Sequence, residues 1–322
     1  MRLRIGSRGS QLALWQAHHI ADLLRAEHHS VEIAIIKTTG DRLQDAPFAQ
    51  VGAKGMFTRE IEEALAEGAV DLAVHSLKDL PTELPPAFTL AAIPARVDPR
   101  DVLVSRSFPS LAALPAGAKV GTSSQRRRAQ LRALRPDLEP VEFRGNVDTR
   151  LRKLAEGQVQ AILLAAAGLD RLRRTEWIRE RFEPVHFCPA AGQGALGIEI
   201  RRGDEQTRAA LAFLDDPETH FAVTAERACL GALGGGCQVP IGVYCRPSPI
   251  ASGVKTGGGE IEIFAVASAP DSGEVLRVEH RGARRGMDPA RFGEAAARAL
   301  LAAGAGSVLG LPGGGSRAGD TA

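Results

Sequence analysis

Apolar positions in the first part of the chain switch between two periods. The opening stretch Arg2–Gly6 alternates charged and apolar residues, the period of a short strand. From Ser10 to Ala26 the apolar residues Leu12, Leu14, Trp15, Ala17, Ile20, Leu23 and Leu24 recur at helical spacing, and Ser10 stands where an N-cap belongs. Val31–Lys37 reads as a buried strand, Phe57–Glu67 as a helix and Leu72–His75 as a short apolar strand. Between them Thr38–Lys54 is polar, carries Gly40 and Gly52, and reads as a long loop of the kind that forms mobile lids. A β-α-β-α-β rhythm of this sort implies a parallel sheet with helices on its faces.

The rhythm resumes after a crossover segment at Pro94–Pro99. Strands are predicted at Val102–Val104, Lys119–Gly121, Leu138–Phe143 and Ala161–Ala165, and helices at Ser124–Leu134 and Val147–Glu156. The Gly- and Ala-rich stretch Cys188–Gly197 leads to a strand at Leu196–Ile200. Helix Glu218–Leu230 runs into the turn Gly234–Gly236, followed by strands near Val239–Tyr244, Ile261–Ala267 and Val275–His280 and by helix Pro289–Ala303. Consecutive strands with short turns imply an antiparallel sheet there, with helices on one face. The glycine-rich end of the chain, residues 306–322, is expected to be disordered.

A chain of 322 residues suits two or three domains. Its formal net charge of +2 provides no overall field for nucleic acid or a membrane surface, so any basic site must be local. No apolar run approaches the roughly 20 residues that span a bilayer, and the charged, alternating start differs from a secretory signal. A cytoplasmic protein with reduced thiols is therefore expected. Cys188, Cys229, Cys237 and Cys245 form no C-x-x-C pair, which argues against a structural zinc site, and no metal is expected.

Three strand-to-helix junctions are suited to anions, because helix N-termini offer bare N–H groups and a positive dipole end. They are Ser7-Arg8-Gly9-Ser10, Gly121-Thr122-Ser123-Ser124-Gln125-Arg126-Arg127-Arg128, and Arg144-Gly145-Asn146-Val147-Asp148-Thr149-Arg150. The first by itself could be an ordinary helix cap. In the second, basic residues stand where the dipole opposes them, which implies a bound anion, and guanidinium forks match carboxylates. Together the junctions imply a ligand with several negative groups, held at the carboxyl ends of strands. The Gly and Lys spacing of a Walker loop is absent, which disfavours nucleotides. Two further clusters are His75-Ser76-Leu77-Lys78-Asp79 and Gly234-Gly235-Gly236-Cys237. Each has a structural reading, as an ion pair and as a buried thiol, beside a catalytic one.

With these residues in view the chain resembles the porphobilinogen deaminase family. The likeness lies in Ser7–Ala17, Gly52–Phe57, His75–Thr82, Gly121–Ser124 with its Arg run, Arg144–Leu151, Pro189–Leu196 and Gly235–Gly242, all in order along the chain. The resemblance implies an α/β fold of three domains, two of them like the lobes of type II periplasmic binding proteins. The third is a small α+β C-terminal domain with an antiparallel sheet. It places domain one at 1–94 and 195–213, domain two at 95–194 and domain three at 217–305. It also implies a reaction: four porphobilinogen molecules are joined head to tail on a dipyrromethane primer, with release of ammonia, to give hydroxymethylbilane.

By the same resemblance the primer is attached through Cys237 and Asp79 is the catalytic carboxylate. Lys78, Ser76, Thr122, Ser124, Arg126, Arg127, Arg144 and Gly145 would hold the cofactor, and Arg8, Ser10, Arg150, Arg171, Gln193, Lys54 and Phe57 the substrate. A monomer is the family habit. The family often has Asn-Thr-Arg-Leu-Glu before the Gly-Gly-Cys, where this chain has Leu230-Gly231-Ala232-Leu233-Gly234. The competing reading is a two-lobed organic-anion binding protein without catalysis.

Overall fold

A computed structural model describes residues 1–42, 58–235, 239–248, 259–269 and 273–311. The chain begins with β1 (Arg2–Ser7), α1 (Gln11–Ala26), β2 (Ser30–Ile35), a helical turn α2 (Thr39–Arg42), α3 (Arg59–Ala66), β3 (Leu72–Ser76) and β4 (Phe88–Ala92). It continues through β5 (Asp101–Val104), β6 (Lys119–Gly121), α4 (Gln125–Leu134), β7 (Glu139–Val141), α5 (Val147–Ala155), β8 (Ala161–Ala165), α6 (Ala166–Arg171) and β9 (Ile178–Arg181). Then come β10 (Leu196–Arg201), α7 (Glu205–Leu211), α8 (Pro217–Ala232), β11 (Ile241–Pro247), β12 (Glu260–Ser268), β13 (Val275–Ala283), α9 (Pro289–Ala302) and α10 (Ala305–Val308). The architecture is mixed α/β, with two five-stranded sheets and one three-stranded antiparallel sheet.

The first sheet has the order β2-β1-β3-β10-β4 and the second β7-β6-β8-β5-β9. Neither is wholly parallel, contrary to the expectation from the β-α-β rhythm. β10 runs antiparallel to β3 and β4, and β5 runs antiparallel to β8 and β9. The cause is the path of the chain. It leaves β4 through residues 93–100 to enter β5, and returns from β9 through residues 182–195 to enter β10. Both entering strands start beside the finishing ends of the parallel strands: Asp101 pairs with Ala165 and Leu196 with Ser76. A strand that starts where its neighbours end must run the opposite way. Both crossings and all the parallel strand ends therefore meet at one cleft.

Each of these sheets is covered on both faces, which is why strands such as Ala161–Ala165 are apolar throughout. In the first lobe Leu3, Ile5, Ile20, Leu24 and Ile198 form one layer, and Ile61, Leu65, Val70 and Phe88 the other. In the second, Leu103, Val120, Leu131 and Phe187 face Val102, Val104, Ile162 and Leu169 across the sheet. Each such side chain contributes about 1.5–3 kcal/mol by leaving water.

The third sheet, β11-β12-β13, alternates along β12. Ile261, Ile263, Ala265 and Ala267 pack under α8 and α9, as the helix-on-one-face expectation requires. Both helices start alike: Asp216 caps Thr219 N before Pro217, and Asp288 caps Arg291 N before Pro289. They cross in close contact at Gly293, where a Cβ would lie 1.9 Å from the Ala225 carbonyl oxygen. The stretch Leu230–Gly234 continues α8 as far as Ala232, and Gly235 N donates back to Leu230 O.

Two expectations are revised. Thr38–Lys54 is not loop throughout, because Thr39–Arg42 forms a helical turn, and the remainder of that stretch beyond 42 lies outside the described residues. The end of the chain is ordered past 306, since Ala305–Val308 is helical and Leu309 packs on the third core.

Candidate functional site

Five strand ends open on the cleft, and each is followed by residues that hold a functional group in place. After β1, Ser10 caps α1 by accepting from Ala13 N at 3.3 Å. After β3 a single 3-10 turn, Leu77–Asp79, follows at once. Leu77 is wholly buried and roots the turn, while Lys78 is half-buried and Asp79 exposed. Ser76 Oγ accepts from Gln16 Nε2 at 2.7 Å, tying this turn to α1.

In the second lobe Thr122 Oγ1 accepts from Ser124 N, and Ser124 Oγ accepts from Arg127 N at 3.4 Å to cap α4. After β7, Gly145 adopts φ 118°, where a Cβ would lie 2.6 Å from Thr149 Cγ2, and Asn146 caps α5. β8 leads directly into α6, which ends on Arg171.

Two adjoining cavities result. One, of about 100 Å³, is lined by Ser76, Lys78, Arg127, Arg150, Arg171 and Gln193, with Leu12, Val147 and Leu164 as its apolar wall. The other, of about 70 Å³, is lined by Arg8, Ser10, Gln16, His75, Ser76 and Asp79, and shares Leu12 and Ser76 with the first. A larger hollow on the third sheet carries Arg246, Arg277 and Arg281, but Arg246 and Arg281 face Glu262, and Arg277 donates to the Val185 and His186 carbonyls.

The expected basic cluster divides. Asp101, wholly buried at the head of β5, receives Arg126 Nη1 on Oδ2 at 2.6 Å. Its Oδ1 receives Arg127 Nε at 2.9 Å and Nη2 at 2.7 Å, and Gln193 Nε2 at 2.9 Å. Arg126 also donates to the Cys188 carbonyl, so it sits beneath the cleft. The guanidinium groups that oppose the α4 dipole thus do have an anion, supplied by the chain itself. These cations hold the Asp101 carboxyl far below the usual carboxylate range, against the effect of its burial.

Further in, Arg96 links the two crossings. Its Nε donates to Gln193 O, and its Nη1 and Nη2 reach the buried Glu226 at 2.6 and 3.2 Å. Glu226 also accepts from Gly192 N and Cys245 N. A continuous buried network, Glu226–Arg96–Gln193–Asp101, therefore joins α8 to the cleft floor.

Two other guanidinium groups of the cavity remain under-satisfied. The Nε atoms of Arg150 and Arg171 are buried and have no hydrogen-bond partner among the described residues. Burial pulls both groups down to about 10, and the charge of Arg127 adds to the effect on Arg150. Burial likewise pulls Lys78 down to about 8, although Asp79 opposes this. An anion in the cavity would reverse each of these shifts. A ligand with several carboxylates fits this donor set.

Of the sequence-derived candidates, Arg8, Ser10, Ser76, Lys78, Asp79, Arg127, Arg150, Arg171 and Gln193 line the joined cavities. Thr122 is buried and Arg144 Nε donates to Glu142. Cys237, Lys54 and Phe57 lie outside the described residues. Asp101, Arg96 and Glu226 were not anticipated. A lone acid at the head of the apolar run Val102–Val104 was the available signal for Asp101. Among the described residues, no group of three or more His, Cys, Asp or Glu could hold a metal ion, and no helix is long and apolar enough to cross a membrane.

Two family models match the chain. "Porphobilinogen deaminase, dipyromethane cofactor binding domain" covers residues 3–209, and "Porphobilinogen deaminase, C-terminal domain" covers residues 220–302. The porphobilinogen deaminase of Roseiflexus castenholzii is 51% identical over 95% of this chain and 98% of its own length. That of Bordetella parapertussis is 50% identical over 96% and 95%. Among solved structures, a periplasmic substrate-binding protein of an ABC transporter from Coxiella burnetii aligns with a TM-score of 0.41 at 16% identity, over 68% of this chain and 94% of that one.

Proposed function

The chain belongs to the porphobilinogen deaminase family, and from that premise we propose how its residues share the work of condensing four porphobilinogen molecules into hydroxymethylbilane with loss of ammonia. The observation that carries the proposal is the cleft itself: under-satisfied guanidinium groups and a depressed lysine, with Asp79 at the rim. Each pyrrole brings an acetate and a propionate, so every added unit brings two carboxylates to a site short of anions. The binding-protein alternative rests on a two-lobed architecture alone, whereas the family match runs through all three sheets.

Bound dipyrromethane supplies the pyrrole carbon on which the chain is extended. Arg150, Arg171 and Lys78 hold carboxylates, and Arg127, Ser76, Ser10, Thr122, Ser124, Arg8, Arg144 and Gln193 complete or support the lining. Asp79 stabilises the positive charge that develops on a porphobilinogen ring as its amine departs. We assign residues 1–94 and 195–213 to the first domain, 95–194 to the second and 217–305 to the third. The family resemblance further supports a monomer working in the cytoplasm.

Cys237 carries the cofactor in this reading. Cys188, Cys229 and Cys245 are buried free thiols; burial pushes the first two up to about 12 and the third upward as well. None of them readily forms a thiolate. Cys237→Ser should abolish both the covalent pyrrole mass and activity, whereas Cys229→Ala should keep both. A covalent adduct that persists in Cys237→Ser would refute the assignment.

Lys78 gives the site a pH dependence. Its pKa of about 8 lies below the ordinary lysine value, so without a bound carboxylate Lys78 is already losing its charge near pH 8. A bound carboxylate favours the charged form and raises that pKa. Porphobilinogen binding should therefore take up protons around pH 8 and weaken as pH rises above it. Calorimetry in two buffers of different ionisation enthalpy checks this, and buffer-independent heats at pH 8 would contradict it.

A further inference from the structure

The smaller cavity has a second titratable wall that the roles above leave unused. His75 and Glu199 lie on the antiparallel strands β3 and β10, where Glu199 pairs with Ala73 and Gly197 with His75. His75 Nε2 is 2.9 Å from Glu199 Oε2, and both side chains are buried. Glu199 Oε1 is buried too and has no hydrogen-bond partner among the described residues. Glu62 on α3 acts on the pair from the other layer; its pKa is raised first by burial and then by the charge of Glu199. His75 also lines the cavity that holds Asp79, Arg8 and Ser10.

A pair that served only to pin β10 to β3 would be poorly chosen. Burying two polar groups costs desolvation that an apolar cross-strand pair avoids, and here one carboxylate oxygen stays unsatisfied as well. The neighbouring pairs of the same two strands, Ile198 with Val74 and Ile200 with Leu72, are apolar. An imidazole held from behind by a carboxylate and opening on a cavity is instead an arrangement that fixes a tautomer for proton transfer. With Glu199 Oε2 as the acceptor, Nε2 donates and Nδ1 keeps its lone pair.

We infer that His75, oriented by Glu199, is the proton carrier of the condensation: it takes the proton lost by the attacking pyrrole carbon and passes it to the departed amine. This rests on the deaminase reading above and divides the labour, with Asp79 countering charge and His75 moving the proton. The atoms balance. The aminomethyl C–N bond breaks and nitrogen keeps the electron pair, so the substrate ammonium leaves as ammonia. The free α carbon of the bound chain forms the new C–C bond with ring π electrons, and then loses its proton as the C–H pair restores the ring. That proton and the ammonia make ammonium, and nothing is oxidised or reduced. Among the described residues, the charged and titratable groups around His75 are Glu199 from β10, Glu62 from α3, Asp79 from its own turn and Arg8 from the β1–α1 junction.

The test uses holoenzyme of the wild type, His75→Gln and Glu199→Gln, with single-turnover loading of porphobilinogen followed by intact mass across pH. Gln can keep a hydrogen bond to Glu199 but cannot carry the proton. His75→Gln should retain the covalent cofactor mass and load about 10²-fold or more slowly at neutral pH. It should also change the shape of the pH–rate profile, because the group that carries the proton is gone. Glu199→Gln should slow loading less and displace the profile. Loading by His75→Gln within about threefold of wild type, or slower loading with an unchanged profile shape, would overturn the inference. If His75→Gln does not fold, Glu199→Gln decides: an unchanged rate and profile there overturns it equally. A wild-type chain that loads no pyrrole would sink the deaminase reading itself, and this inference with it.

Discussion

Asp79→Asn should leave the protein folded with its cofactor attached, yet slow every pyrrole addition by roughly 10²–10⁴-fold. The side chain is exposed at the end of a 3-10 turn whose buried member is Leu77, so the fold does not depend on its charge. Asn keeps the size and removes the charge. The reaction passes from a substrate ammonium to a ring-delocalised cation, and a fixed carboxylate at the cavity edge favours that change without reorganising. Each 1.4 kcal/mol of lost stabilisation is about tenfold in rate. Asp79→Glu keeps the charge but displaces it, and should rank between wild type and Asn. Loading rates on protein already carrying cofactor separate this from assembly defects. Equal rates for Asn and wild type would remove Asp79 from the chemistry, and an unfolded Asn variant would make it structural.

Asp101→Asn should be the most damaging single change to the fold around the cleft. It leaves Arg126 and Arg127 buried side by side without their shared counter-charge and weakens the hold on Gln193. Breaking a buried ion pair from one side costs about 3–5 kcal/mol. Because Gln193 O also receives Arg96, and Arg96 reaches Glu226, the loss should extend to the packing of α8. The same carboxylate gives a pH signature. Its folded pKa is depressed, so its stabilisation is present above the unfolded carboxylate value near pH 4 and is lost as pH falls toward the folded value. Wild type should therefore lose stability on acidification below about pH 4 more steeply than Asp101→Asn. Urea midpoints at pH 7 and in acid measure both effects. An Asn variant as stable as wild type at pH 7 would show that the arginines do not need this partner.

Much of the fold was written in local pattern. Lys119–Gly121 and Ala161–Ala165 match the expected strands end for end, and Ser10 caps α1 as its position implied. The elements that escaped were short or weakly patterned. β9 is four residues of an edge strand reading Ile-Arg-Glu-Arg, α6 is six residues with no side-chain cap, and α7 is a seven-residue helix. Strand direction in β5 and β10 was not legible, because it follows from where the chain crosses between lobes and not from any local period. The site was legible in its cationic junctions and in Lys78 and Asp79. What local pattern could not reveal was pairing across sequence distance. Nothing near Arg126 and Arg127 indicates that their anion is Asp101, or that Glu226 of α8 would close onto Arg96. The basic residues that open α4 do have an anion, but it belongs to the chain.

Intact mass of the purified wild-type chain, before and after brief exposure to porphobilinogen, tests the central claim most directly. The account predicts a starting mass above that of the bare polypeptide by one covalent dipyrromethane, borne by Cys237. It then predicts a ladder of discrete increments of one pyrrole unit each, with hydroxymethylbilane released and the starting mass restored. A bare polypeptide mass that porphobilinogen leaves unchanged would contradict it.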